Sequence, residues 1–347
     1  MSKVSLIRNI SALAFGLSIA IPAAQAAEKP VALIIAQGGL GDQSYNDLAD
    51  KGFKKALAET KLKGKDVESK DVVAQAENIL RTAAGKGGFG LVVDLEYSHG
   101  DALKAVAKDY PKTGFVILNQ VQPGDNVASV LFKEQEGSYL AGALAAMVAS
   151  NPKIKGVQST PIIGAIGGVK SPGIDKFLAG YMQGAKDVNP KIEVKIAYSN
   201  NFGDPAIGHQ MAKAMFDQGA SIVYQVAGGT GQGVIQAAKE TGHYAIGVDT
   251  DQDGMAQGNV LTSMIKRTDL AVETVIKDYA EHKFPGGKTV SLGLAENGVG
   301  LSPMTYTKAL IPADYLAKVA ELKKKILSGA IKVVDVSGPD GYPAWFK

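Results

Sequence analysis

Eight residues have types and positions suited to holding a small polar molecule: Asp42, Tyr45, Asn46, Asn119, Phe202, Gly228, Asp249 and Lys266. All fall at or beyond the carboxyl ends of predicted strands, as do Glu96–Ser98, Asn201 and the run Gly228–Gly231. Carboxylates accept paired hydroxyls, amides donate and accept along a heterocycle edge, and aromatic faces stack on flat or apolar surfaces. A plainer reading makes Asp42 and Asn46 caps of the helix that follows them. One cap would say little, but polar strand ends recur in both halves of the chain.

Other chemistries find less support. Gly38-Gly39-Leu40-Gly41-Asp42 lacks the spacing of a dinucleotide turn and carries a carboxylate where a pyrophosphate would sit. There is no Gly-X-Ser-X-Gly elbow and no Walker lysine. His99, His209, His243 and His282 show no metal-ligand spacing and are expected at surface or cap positions. Asp249, Asp251 and Asp253 alternate like a calcium loop, but no glutamate closes it. The chain contains no cysteine, which excludes disulfides, thiolate metal sites and a thiol nucleophile. No metal and no cofactor are expected.

Positioning these residues requires an open α/β sheet, whose ligands sit outside the carboxyl ends of parallel strands, near helix N-termini. The stretch 31–53 shows the unit: apolar Val31–Ile35, a glycine turn, a polar cluster, then a helix burying Leu48, Phe53 and Leu57. The periodicity repeats it with strands at Val67–Val73, Gly90–Leu95, Phe115–Asn119 and Asn126–Leu131. A helix at Ser138–Ala149 is apolar almost all round and should be buried. A second series follows, with strands at Ile162–Ile166, Glu193–Tyr198, Ile222–Val226 and Tyr244–Val248. Two βα series predict two doubly wound parallel-sheet lobes. Ser263–Lys266 and the helix after it read as a return segment, and Pro312–Leu327 as a terminal amphipathic helix. Trp345, in the tail, is expected to be a structural plug.

The start of the chain reads as a leader, with Lys3 and Arg8, the short apolar run Ile10–Ile21, and Ala24-Gln25-Ala26 as a cleavage site. The run is shorter than the roughly 20 apolar residues of a spanning helix. Roughly 320 residues then remain, enough for two cores. A net charge of +3 gives no ground for a nucleic-acid partner, and the dispersed lysines are expected on solvated helix faces.

Several segments in order are similar to the basic membrane protein family of substrate-binding proteins, which includes purine-nucleoside receptors of ABC transporters. They are Gly41-Asp42-Gln43-Ser44-Tyr45-Asn46, Gly88-Phe89-Gly90-Leu91-Val92-Val93, and the run from Phe132 to Gly142. Phe177-Leu178-Ala179-Gly180-Tyr181, Phe202-Gly203-Asp204-Pro205, Gly247–Gln252 and Thr262–Arg267 complete the set. The resemblance implies a type I periplasmic binding protein, two α/β lobes joined by a hinge. It divides the chain into a leader, 1–26, a first lobe, 27–132, rejoined by 264–290, and a second lobe, 133–263. Residues 291–347 then form the crossover, terminal helix and tail. It also implies roles: Tyr45 and Phe202 as rings flanking a base, Asn46 and Asn119 as readers of its edge, Asp249 and Lys266 as holders of ribose hydroxyls. Gly228 would allow close backbone approach, and Asp42 would support the first loop. Tyr45 and Asn119 stand where nucleoside receptors carry phenylalanine and aspartate.

The expectation is a monomeric periplasmic capture protein, not an enzyme, that closes on a nucleoside or nucleobase and delivers it to an ABC permease in the inner membrane. The alternatives are a receptor for a non-purine ligand such as a modified sugar, a sensor subunit, or an exported nucleoside-processing enzyme. The last would rely on Asp249, Asp42 or Glu96.

Overall fold

A computed structural model describes residues 28–346. The leader expected at 1–26 lies outside the described residues. The first series runs β1 (Val31–Ile34), α1 (Tyr45–Thr60), β2 (Gly64–Val67), α2 (Ala76–Ala84), β3 (Leu91–Asp94), α3 (Gly100–Asp109), β4 (Gly114–Leu118) and β5 (Val127–Phe132). The second runs α4 (Glu134–Ala149), β6 (Ile162–Gly167), α5 (Pro172–Val188), β7 (Glu193–Tyr198), α6 (Pro205–Asp217), β8 (Ala220–Val226), α7 (Thr230–Thr241), β9 (Tyr244–Asp249) and β10 (Val260–Lys266). The chain ends with α8 (Thr268–Ala280), β11 (Thr289–Leu292), β12 (Val299–Leu301) and α9 (Ala313–Leu327).

Two six-stranded sheets result, ordered β11-β5-β4-β3-β1-β2 and β12-β10-β9-β8-β6-β7. Among the described residues only β12 runs antiparallel to its neighbour. Strands such as β1 and β3 are buried along their whole length, as parallel strands covered on both faces must be. The chain crosses between the sheets three times: from β5 into α4, from β10 into α8, and from β11 to β12.

Glycines set the closest helix contacts. A Cβ on Gly142 of α4 would overlap the Tyr181 carbonyl of α5, and one on Gly180 or Gly184 would overlap the backbone of Gln135 or Tyr139. Gly52 admits the start of α8 against α1 in the same way, which fixes α8 to the first lobe.

Three expectations need correction. The strand expected at Val67–Val73 lies earlier, at Gly64–Val67; it is an exposed edge strand, GKDV, without an apolar run to mark it. Residues 68–75 are turns instead. The return to the first lobe begins after Lys266, because Met264 and Ile265 pair with Val248 and Asp249 of the second sheet. Ser291 and Leu292, placed with the second lobe, pair with Leu131 and Phe132 of the first sheet.

Candidate functional site

The carboxyl ends of both sheets face one cavity of about 450 Å³ between the lobes, within the usual range for ligand pockets. All eight residues singled out above line it. They reach it from β1, β4, β8, β9 and β10 and from the loop after β7.

On the first-lobe side, Asp42 is 3% exposed and accepts the N–H groups of Ser44 (2.8 Å), Asn46 (2.9 Å) and Asp47 (3.1 Å). It therefore holds the first turn of α1 while its surface faces the cavity. Burial pushes its carboxyl above the ordinary range, against those three bonds. Asn46 Oδ1 accepts from Ala36 N (2.9 Å) and its Nδ2 donates to the Gln37 carbonyl (3.3 Å), so part of its amide is spent on the β1–α1 loop. Glu96, 1% exposed, accepts from Gln37 N (3.0 Å) and from the Ser98 hydroxyl (2.7 Å). Tyr45 donates its hydroxyl to the Leu95 carbonyl (3.0 Å) and accepts from Asn119 Nδ2 (2.8 Å). Burial holds that phenol well above its ordinary value.

On the second-lobe side, Lys266 Nζ donates to Asn119 Oδ1 (2.8 Å) and pairs with Glu134 Oε1 (2.9 Å). Three rings surround it, with centroids 5.1 Å (Tyr45), 4.9 Å (Phe132) and 5.4 Å (Phe177) away, so a cation already lies against Tyr45. Glu134 also pairs with Lys176 (2.8 Å). Burial alone would raise the Glu134 carboxyl, but the two ammonium groups outweigh it and hold it below the usual range. Asp249 ends β9 as Asn119 follows β4, and both have left-handed backbones (φ +66° and +65°), a conformation Asn and Asp tolerate better than most residues. Burial pushes the Asp249 carboxyl to about 6, while Lys266 and a hydrogen bond from Ser44 limit the rise. The Phe202 ring occupies space left open by Gly168, and its carbonyl accepts from Thr230 N (3.3 Å). Gly228, at φ +53°, passes close to that carbonyl, where a Cβ would crowd it.

The lobes touch along one lip of the cavity. Ser44 Oγ donates to Asp249 Oδ2 (2.5 Å), Gln252 Nε2 to the Gln43 carbonyl (2.9 Å), and Gln232 Nε2 to the Gly41 carbonyl (3.0 Å). This is a closed arrangement, with polar groups of one lobe satisfied by the other. The opposite side is lined by Gln120 and Val121 of the first lobe and by Ser171–Ile174 and Ser337 of the second.

Sequence reasoning missed Glu134, Lys176, Phe177 and Ser44. Glu134, Phe177 and Ser44 lie inside the family-like segments, but nothing in their spacing marked them. Lys176 read as a solvated helix lysine; it is 7% exposed and faces the cavity, a correction forced by its pairing with Glu134. His99, expected at a surface or cap position, stands at the N-cap position of α3 but not at the surface. It is fully buried, with Nδ1 2.8 Å from Asp94 Oδ2 and Nε2 2.7 Å from the Val72 carbonyl. Trp345 is no buried plug: it is 47% exposed and packs edge-on to Phe346, while Ser337 of the same tail reaches the cavity.

Known proteins agree with this architecture. A family model described as "ABC transporter substrate-binding protein PnrA-like" matches residues 29–337. A CD4+ T-cell-stimulating antigen of Listeria monocytogenes is 35% identical over 325 residues, covering 87% of each chain. The ABC transporter nucleoside-binding protein BmpA of Lactococcus lactis is 35% identical over 328 residues, covering 87% of this chain and 88% of that one. Among solved structures, an ABC transporter solute-binding protein from Aeropyrum pernix superposes with a TM-score of 0.83 at 32% identity, covering 90% of this chain and 95% of that one. The chain belongs to the PnrA-like, or Bmp, family of ABC transporter substrate-binding proteins.

Proposed function

We propose that this chain captures a neutral purine nucleoside or nucleobase in the periplasm and delivers it, lobes closed, to an ABC permease of the inner membrane. The observation that carries the reading is an interlobe cavity in which a carboxylate, two amides and aromatic rings from both lobes converge. In this reading Asp249 and Lys266 take the ribose hydroxyls, Asn46 and Asn119 read the base edge, and Phe202 and Tyr45 flank the ring. The nucleoside-binding relative from Lactococcus lactis supports the ligand class.

The charges of the cavity favour an uncharged ligand. Asp42, Glu96, Glu134 and Asp249 line it against Lys176 and Lys266, and both lysines already pair with Glu134. A phosphate would meet excess carboxylate and no free cation, so nucleotides should bind roughly a hundredfold more weakly than nucleosides, or worse. Isothermal titration of the protein lacking residues 1–26 with nucleosides, nucleobases, nucleotides and sugars tests both points. Binding of a nucleoside or base below about 1 mM supports the reading, and failure of all of them at that level removes the purine assignment. The family membership would stand in either case.

A further inference from the structure

Four groups in the cavity form an ordered hydrogen-bond chain. The Tyr45 hydroxyl gives its one proton to the Leu95 carbonyl (3.0 Å), so towards Asn119 it can only accept, and Asn119 Nδ2 donates to it (2.8 Å). At the other end Lys266 can only donate, and it donates to Asn119 Oδ1 (2.8 Å). Lys266 is itself fixed by Glu134 (2.9 Å) and by the rings of Tyr45, Phe132 and Phe177. Turning the Asn119 amide over would set its oxygen against the Tyr45 oxygen and its NH₂ against an ammonium, two mispairings at once. The amide is therefore held in one orientation. It keeps one N–H and one lone pair unspent, in a fixed order, at the cavity wall.

We infer that Tyr45 acts through Asn119: its hydroxyl is a positioning group that locks the amide, and the locked amide makes the site discriminate 6-amino from 6-oxo purines. This rests on the nucleoside reading above. A 6-oxo purine presents an acceptor, O6, beside a donor, N1–H; a 6-amino purine presents a donor, N6–H, beside an acceptor, N1. The two edges have the same shape and opposite order. An amide free to turn over pairs with both, whereas a locked amide pairs with one and faces the other donor-to-donor and acceptor-to-acceptor. A site whose buried polar groups are left mispaired rejects the wrong ligand by roughly tenfold or more. The ring of Tyr45 does not supply this selectivity, because phenylalanine offers the same face. The hydroxyl orders the amide from its nitrogen end, as Lys266 does from its oxygen end.

The test is titration of adenosine and inosine into the native protein, Tyr45→Phe and Asn119→Asp. The native protein should bind one of the pair roughly tenfold or more tightly than the other, and Tyr45→Phe, which leaves Lys266 alone to order the amide, should narrow that ratio by about threefold or more. Asn119→Asp, which removes the N–H and offers an acceptor at both positions, leaves one contact of each purine mispaired and should also narrow the ratio. Equal binding of the pair by the native protein, or an unchanged ratio in Tyr45→Phe, overturns the inference. A ligand-independent readout separates the lock from the nucleoside reading. In unliganded native protein the Asn119 side-chain amide proton donated to Tyr45 should exchange slowly with solvent, and that protection should be lost in Tyr45→Phe. If neither nucleoside binds, the purine reading and its 6-position selectivity fall together, while persistent slow exchange leaves the lock standing. Rapid exchange in the native protein removes the lock as well.

Discussion

Asp249 is the residue whose protonation should be visible in binding. Burial raises its carboxyl from 3.8 to about 6. A folded value above the unfolded one contributes stability that is complete below about pH 3.8 and is lost as the pH rises through 6. A ligand hydroxyl pair donating to the carboxylate favours its charged form and pulls the value back down. Affinity should therefore rise with pH across the same window and be about tenfold lower at pH 5 than at pH 7.5. Calorimetry in buffers of different ionisation heat should detect protons released on binding near pH 6; a pH-independent affinity with no proton release would remove Asp249 from the ligand. Glu134 gives a second expectation at this scale. It is the shared partner of two buried ammonium groups, so Glu134→Gln leaves uncompensated charge in the cavity wall and should lower unfolding stability by about 3–5 kcal/mol. A loss below about 1 kcal/mol in urea denaturation would show that the lysines find water instead. The difference between these two residues also shows what a sequence discloses. Asp249 stands at a strand end, where the periodicity of an apolar run points to it. Glu134 and Lys176 announce nothing locally, because their meaning comes from a meeting of α4, α5 and β10, far apart in the chain.

At the scale of the element, most of the fold was legible because buried parallel strands are short apolar runs and the helices between them are amphipathic. β7 begins and ends where the periodicity puts it. β2 was misplaced because its run GKDV, at a sheet edge, is held by backbone pairing with little burial, so no apolar pattern marks it. The boundary at Lys266 was misplaced for a different reason. One strand serves the second sheet until its last residue, and the helix immediately beyond it serves the first, which hydrophobicity does not report. Helix approach is a further property of the element. Gly184 of α5 lies where a Cβ would overlap the Tyr139 carbonyl of α4, and backbone cannot give way as a side-chain tip can. Gly184→Ala should destabilise the protein by about 1–3 kcal/mol despite alanine's better helix propensity. Gly173→Ala in the same helix, with nothing near its Cβ position, should be neutral or slightly stabilising. Equal melting temperatures for the two variants would disprove the close-packing account.

For the whole molecule the question is what holds the lobes together. Lys266 bridges from inside, donating to Asn119 of the first lobe, and the lip contacts of Gln232, Gln252 and Ser44 bridge from outside. The Ser44–Asp249 bond is the strongest of the lip contacts by type, since it is short, buried and made to a carboxylate. It also uses the group proposed to receive the ligand, so serine and ligand hydroxyls meet at one acceptor. The lip bond and a ligand held by Asp249 then act on one equilibrium, each favouring closed lobes. A hydrogen bond to a charged group is worth about 1.5–3 kcal/mol, so Ser44→Ala should shift the closed-to-open ratio by roughly 10- to 150-fold. Small-angle scattering of unliganded Ser44→Ala should show a larger radius of gyration than the native protein, and saturating ligand should bring both to the same compact value. The variant's affinity should fall if closure without ligand assists capture, and rise if the serine mainly competes for Asp249, so the sign of that change decides which of the two the bond does. An unliganded radius identical to the native one would mean that the lip contacts follow closure and do not hold it, leaving Lys266 and the three chain crossings to set the resting state.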